Sequence, residues 1–332
     1  MVFTISTIPG EGMLKLTVPF FIFMLGSLQA QETEMAYRNL RQITADTENW
    51  NFDIEIQPAG DNIIYTSDRT DPYGDILIQP LKGSSQIQKT FHEGTDRHPS
   101  YSPDGERFAF ASDANGNFDI FVMRTNGGTA KQQVTFSDLD ELSPDFSPDG
   151  KKLVYVSYGI DGGNIWIYNF DDGSFTTLGK GEYPKFSPDG TKLVYQKRSS
   201  NKDRYYSLWI INIDGSSDTQ IVRGNDWSAI TPDWSPNGEY IVFASSANKI
   251  GKYVFTRRKS KVFIQKEAKG TDIWVVKIDG TGMTQLTQSK GSDWNPKWTN
   301  ENVIYFCSDR RLGRKPSNKA SNIWSFIPLL VE

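Results

Sequence analysis

The residues of this sequence best suited to grip a ligand are cationic and aromatic. Residues 248–270 hold Lys249, Lys252, Arg257, Arg258, Lys259, Lys261, Lys266 and Lys269 against one acid, Glu267. That insert is +7 in a chain of net charge −4, so the remainder is −11. Arg310 and Arg311 open a second basic cluster, which Arg314, Lys315 and Lys319 continue. Trp50, Trp227 and Trp294 stand in connecting segments. A guanidinium grips a carboxylate or sulfate in a two-bond fork, and an indole adds rigid apolar area beside it. The pair suits an acidic protein segment or a sugar ring bearing an anionic group. The plainer reading is solvated loop charges, with tryptophans capping the ends of a core.

A second set is acidic. Asp68 and Arg69, Asp113, and Asp309 with Arg310 each follow a serine at the end of an apolar run, and Asp96, Asp140, Glu141, Glu182, Asp226 and Asp293 lie in connections. These could ring a channel mouth. Asp113, Asn115, Asn117 and Asp119 place oxygens at alternate positions, as a calcium loop does, but lack the glutamate that closes a helix-loop-helix site. No cofactor is therefore assigned. Catalytic signals are thin. There are two histidines, His92 and His98, and only His98, near Asp96, has the setting of a general base. Gly-x-Ser-x-Gly, zinc spacing and a phosphate-cradling glycine loop are missing. No catalytic or metal residue is assigned; an enzymatic role would be that of a polysaccharide lyase or hydrolase. An acidic chain has no general affinity for nucleic acid.

The elements that position these residues are written in a repeat. Pro144 to Tyr155 reads PDFSPDGKKLVY, and it recurs at Pro99 (PSYSPDGERFAF), Pro184 (PKFSPDGTKLVY) and Pro232 (PDWSPNGEYIVF). Worn copies start at Ile54 and Pro296. The six starts are 45, 45, 40, 48 and 64 residues apart. A period in the forties with short strands and turn residues marks a propeller, one four-stranded blade per copy. Ser-Pro-Asp-Gly is turn chemistry between a first and a second strand. β-Branched and aromatic runs such as Asp119–Met123 and Asp272–Val276 read as third strands. A short outer strand such as Thr284–Thr287 ends each unit.

This repeat resembles that of the TolB-like propeller family, often called PD40, over about 290 residues from Leu40 onward. The resemblance implies an all-β, six-bladed propeller over 38–328. It is specific for fold and leaves function open, because the fold hosts partner-binding proteins, carbohydrate enzymes and non-catalytic domains of peptidases. TolB-like oligouronide lyases use a multi-histidine metal site, which two histidines cannot build by that pattern. TolB itself carries an α/β domain before its propeller, and Gln31 to Tyr37 leaves no room for one.

Two further expectations follow. Residues 1–30 read as an export signal, with Lys15, the apolar run Val18 to Leu25 and Ala30 before the cleavage point, and with Met13 as an alternative start. The site is then periplasmic or secreted, with no membrane span after signal removal. Leu40 to Thr44 matches the outer-strand pattern yet precedes the first blade, while the last repeat stops at its third strand, Asn322–Phe326. The N-terminal strand is therefore expected to complete blade six and close the ring, which hides an edge. Second-to-third loops and blade-to-blade connections emerge on one face. That face carries the insert, Arg257, Arg258, Lys259, Lys261, Arg310, Arg311, Trp50, Trp227, Trp294, Asp68, Arg69 and His98. The reading is a monomeric, exported binding module of the cell envelope with an acidic partner. The alternative is a carbohydrate-active protein for an anionic glycan.

Overall fold

The computed structural model describes residues 37–91, 94–198, 205–224, 226–247, 253–258, 261–266, 270–289, 291–310 and 320–330; of the segments 253–258 and 261–266 it describes the backbone alone. The described residues form strands and turns with no helix, and so no helix long and apolar enough to cross a membrane. Six antiparallel four-stranded sheets are the six blades of a propeller. Five take their strands in chain order. Blade six starts with Asp293–Trp298, Ile304–Ser308 and Asn322–Pro328, and its outer strand is Tyr37–Gln42. The ring closes as the sequence pattern requires.

In blades two to five the turn between first and second strands is built alike. Ser147 Oγ donates to Asp149 Oδ1 (2.5 Å) and accepts the Lys152 N–H (2.9 Å), while Asp149 accepts the Lys151 N–H (3.0 Å). Gly150 then adopts φ of +70°, which only glycine takes at little cost. Ser102, Ser187 and Ser235 repeat the pattern. The turn residues are used up in making the turn.

The outer strands of blades one, two, five and six share a second latch. Thr90, Thr135 and Thr287 accept the backbone N–H of Ile76, Ile120 and Ile273 at 2.9, 2.8 and 2.9 Å. Thr44 does the same for Ile323 at 2.9 Å and also donates to Asn322 Oδ1 at 3.1 Å. A strand from one end of the chain thus docks on the other end with the geometry of an ordinary blade.

The core lies between blades. One apolar cluster fills each of the six interfaces. Phe108, Phe110 and Phe121 of blade two pack on Ile64, Ile76 and Ile78 of blade one, and Trp274 and Phe243 of blade five pack on Val194 and Leu208 of blade four. Burying one such side chain contributes about 1.5–3 kcal/mol. Cys307 is a core residue of the blade six–one interface, and burial pushes its thiol up beyond ordinary reactivity.

Deleting residues 37–45 is expected to lower the melting temperature of the whole ring in one cooperative step, because it opens an edge and uncovers a face of blade six. The single change Thr44→Val should cost about 1–2 kcal/mol, the loss of one buried hydrogen-bonding hydroxyl. Urea unfolding checks both; a deletion that melts like the intact chain would refute closure.

Candidate functional site

The first strand of every blade runs along the central axis, and each is bulged at the same place. The register of Asn51–Ile56 slips between Phe52 and Glu55, and the other five first strands slip at the matching point. A bulge leaves one residue unpaired and re-aims it. Here the residues are Asp53, His98, Ser143, Tyr183, Thr231 and Asn295, all with φ between 49° and 56°. Non-glycine residues rarely take this conformation, and a β-branched one such as Thr231 pays most for it. In five blades a proline follows (Pro99, Pro144, Pro184, Pro232, Pro296). These residues line a cavity of about 40 Å³ on the axis, room for a few waters. His98 Nδ1, Ser143 Oγ and Thr231 Oγ1 are buried there without a protein partner.

Two residues further along each strand stand Glu55, Ser100, Asp145, Lys185, Asp233 and Lys297. Lys185 Nζ lies 2.7 Å from Asp145 and 3.4 Å from Glu55, and Lys297 Nζ lies 3.0 Å from Glu55. Blades one and four face each other across the axis, so the Lys185–Glu55 pair spans the channel. Burial raises the Glu55 carboxyl, but Lys297 and Lys185 outweigh it and hold the group below its ordinary value. Burial lowers the Lys185 ammonium, yet Asp145, Glu55 and Asp233 win and hold it above the ordinary lysine value. Three carboxylates face two ammonium groups, so one carboxylate is in excess. Asp233 is that one: burial pushes it up to about 6, although it accepts the Trp298 N–H at 3.0 Å.

His98 sits above this hub, with Nε2 3.5 Å from Asp53 and its ring edge-on to Tyr183 at 5.5 Å. Burial lowers its pKa, and Asp53 offsets this only in part, so the ring is neutral at pH 7. Asp53 also accepts from Asn295 Nδ2 at 2.9 Å.

At the mouth, Trp50 and Trp294 lie side by side, ring centroids 6.4 Å apart, and Trp50 is exposed. Asp68 accepts the Trp50 N–H at 2.7 Å and so fixes that indole's backbone. Trp227 lies elsewhere, half-buried against the blade four–five cluster. Arg69 is bound to the buried Asp46. Arg310 clasps the fully buried Asp293 at 2.5 Å and lies over Phe306 and Trp324. Both arginines therefore brace the fold beneath the tryptophan pair. The insert forms a separate two-stranded hairpin, Tyr253–Arg258 with Lys261–Lys266, closed by the Arg258↔Lys261 pair. Arg257, Arg258 and Lys261 lie on its strands, next to the tip; Lys259 and Arg311 lie outside the described residues.

The calcium-like loop spends its polar groups on the protein. Asp113 accepts the Thr95 N–H, Asn117 donates to the Ser137 and Leu139 carbonyls, and Asp119 accepts from Gln133. Among the described residues no group of three or more His, Cys, Asp or Glu converges as a metal site. Sequence reasoning missed the hub. The signal was present: the residue after the proline of the repeat, expected inside a strand, is charged in Asp145, Lys185, Asp233 and Lys297.

The sequence profile described as PD40, TolB beta propeller domain, matches residues 28–225 and 128–258. An uncharacterized protein of Agrobacterium fabrum is 30% identical over 113 residues, 32% of this chain and 30% of the relative, so the chain matches about a third of that protein's length. Among solved structures, a protein assigned as TolB from Agrobacterium tumefaciens superposes with a TM-score of 0.59 at 18% identity, covering 87% of this chain and 97% of the other. TolB of Acinetobacter baumannii gives 0.58 at 14%, covering 86% and 63%. Oligogalacturonate lyase of Vibrio parahaemolyticus gives 0.56 at 13%, covering 87% and 93%. At such identities these three structures share a fold with this chain and nothing finer.

The hub makes a pH prediction. The folded state holds a proton on Asp233 that the unfolded chain, near the ordinary 3.8, has already lost. Its contribution to stability is full below about pH 4 and is lost as pH rises through about 6. Asp233→Asn, which fixes the neutral form, should exceed the wild type by about 1–3 kcal/mol at pH 7 and match it near pH 4. Urea unfolding at both pH values checks this; a gap that does not change with pH would refute the assignment.

Proposed function

This chain belongs to the TolB β-propeller family, and from that premise we propose that it works by binding, as an interaction module of the cell envelope. Its partner presents an acidic segment to the face formed by blades five, six and one. One observation carries the reading: the +7 insert interrupts blade five just before Asp272–Lys277, next to the strand that holds Trp294, whose half-buried ring pairs with the exposed Trp50. The Asp293 N–H donates to the Thr271 carbonyl at 2.7 Å, so the base of the insert is tied to the strand that holds Trp294. Cationic side chains steer the partner, and rigid indoles supply desolvated contact area. Arg69 and Arg310 brace this platform through Asp46 and Asp293. The export-like features of residues 1–30 support action outside the cytoplasm.

Calorimetric titration with an Asp/Glu-rich peptide tests this. Binding is expected to weaken steeply between low and high salt, and about ten-fold or more in R257E/R258E/K259E. Trp50→Ala should weaken it about five- to thirty-fold with little change in salt dependence. Unchanged affinity in both variants would remove this face from the site. Tight binding of oligogalacturonate instead, with new ultraviolet-absorbing unsaturated ends, would replace the reading with a carbohydrate-active one.

A further inference from the structure

Blades three and four depart at one place from a contact that the other four blades make, blade five through Ser246 Oγ, which accepts the Ser228 N–H. In blades one, two and six the second strand ends in Ser-Asp, and Asp68, Asp113 and Asp309 receive the backbone N–H of Trp50, Thr95 and Ser292. Tyr158 and Lys197 replace that aspartate in blades three and four. The second-to-third loop of blade three is only Ile160 and Asp161, closed by the Gly159↔Gly162 pair. The connection to blade four is the single residue Gly181, between Phe175–Lys180 and Glu182–Phe186. These cuts explain the short 40-residue spacing of the two repeats. They also leave a hollow of about 390 Å³ on the loop face, within the range of small-molecule sites.

The hollow is furnished with chemistry. Tyr158, Tyr206, Glu182 and Arg198 line it, with Lys180 and Asp161 at its rim. Glu182 occupies the position just before the bulge residue, where the other blades have Phe52, Arg97, Leu142, Ile230 and Trp294. Tyr206 Oη donates to Glu182 Oε1 at 3.1 Å, and Arg198 Nη2 donates to Tyr206 Oη at 3.3 Å. The Arg198 guanidinium also lies 5.0 Å from the Tyr206 ring centre. Gly163 and Gly181 add bare backbone to the lining. A Cβ on Gly181 would meet the Tyr195 ring at 2.4 Å and Ile165 at 2.5 Å, so the backbone is packed tight behind it.

Among the described residues the charge is balanced. Lys197 is taken up by Asp218 and lies 4.0 Å from the Trp209 ring centre. Glu182 and Asp161 then face Arg198 and Lys180. We propose that this hollow binds a neutral pyranose residue of a saccharide. The apolar face of the ring meets a tyrosine, and its hydroxyls exchange hydrogen bonds with the Glu182–Tyr206–Arg198 chain, which offers both donors and acceptors. Among the described residues an anionic sugar would meet two carboxylates with no surplus cation. The site lies on other blades than the proposed partner surface and stands independently of it.

The test uses the full chain and methyl glycosides of glucose, galactose, mannose and N-acetylglucosamine, beside galacturonate and a sulfated galactoside. Saturation-transfer NMR and calorimetry read binding. Saturable binding of at least one neutral glycoside is expected, weakened about ten-fold or more by Glu182→Gln and by Tyr206→Phe. Both changes keep side-chain shape, and melting curves confirm folding. The proposal is overturned if no neutral glycoside binds, if an anionic sugar binds tighter than its neutral counterpart, or if both pocket variants bind as the wild type does.

Discussion

Six strands meet on one axis, and the charge they bring there has to be neutralised there. Taking an ion out of water costs several kcal/mol even after relaxation, and breaking one partner of a buried pair costs about 3–5 kcal/mol. Lys185 and Lys297, with Glu55, Asp145 and Asp233, meet that demand across four interfaces and one diameter. The blades are otherwise held by sideways apolar contact between neighbours. Through the Lys185–Glu55 pair the hub also ties a blade to its opposite. It also fixes where the six bulged residues stand above it, and so the floor of the mouth.

Above the hub the molecule divides its labour. The polar groups that resemble ligands in the sequence are mostly consumed: Asp68 fixes a backbone, Arg69 and Arg310 neutralise buried aspartates, and the calcium-like loop hydrogen-bonds to itself and its neighbours. Among the described residues, Trp50 keeps exposed aromatic surface, and short loops leave a hollow at blades three and four. Recognition on this face therefore draws on loop length as much as on residue type.

The fold was readable because a turn carries its own chemistry. Ser-Pro-Asp-Gly closes through contacts within five residues, so each copy announces a hairpin without knowledge of the rest. The outer strand was readable too, since Gln42-Ile43-Thr44 repeats Gln285-Leu286-Thr287 and makes the same hydrogen bond. The site was harder. Glu55 and Lys185 are 130 residues apart, and nothing local in either says that they meet. Arg310 reads as a free cation until Asp293 is known to lie buried beneath it. The blade three hollow had left a trace as a repeat five residues short, a length difference whose meaning depends on which loop lost the residues.

The joint between Tyr37–Gln42 and Asn322–Pro328 also sets an order of events. Thr44 and Asn322 are 278 residues apart, and the entropy of closing so long a loop must be met before their contacts return anything. Blades one to five can pair from nearby sequence as they appear. Blade six must wait for the whole chain. Until then the outer edge of its third strand stays open and can pair with any available partner. The slowest and most aggregation-exposed step in the life of this protein is therefore the last one, in which its two ends find each other.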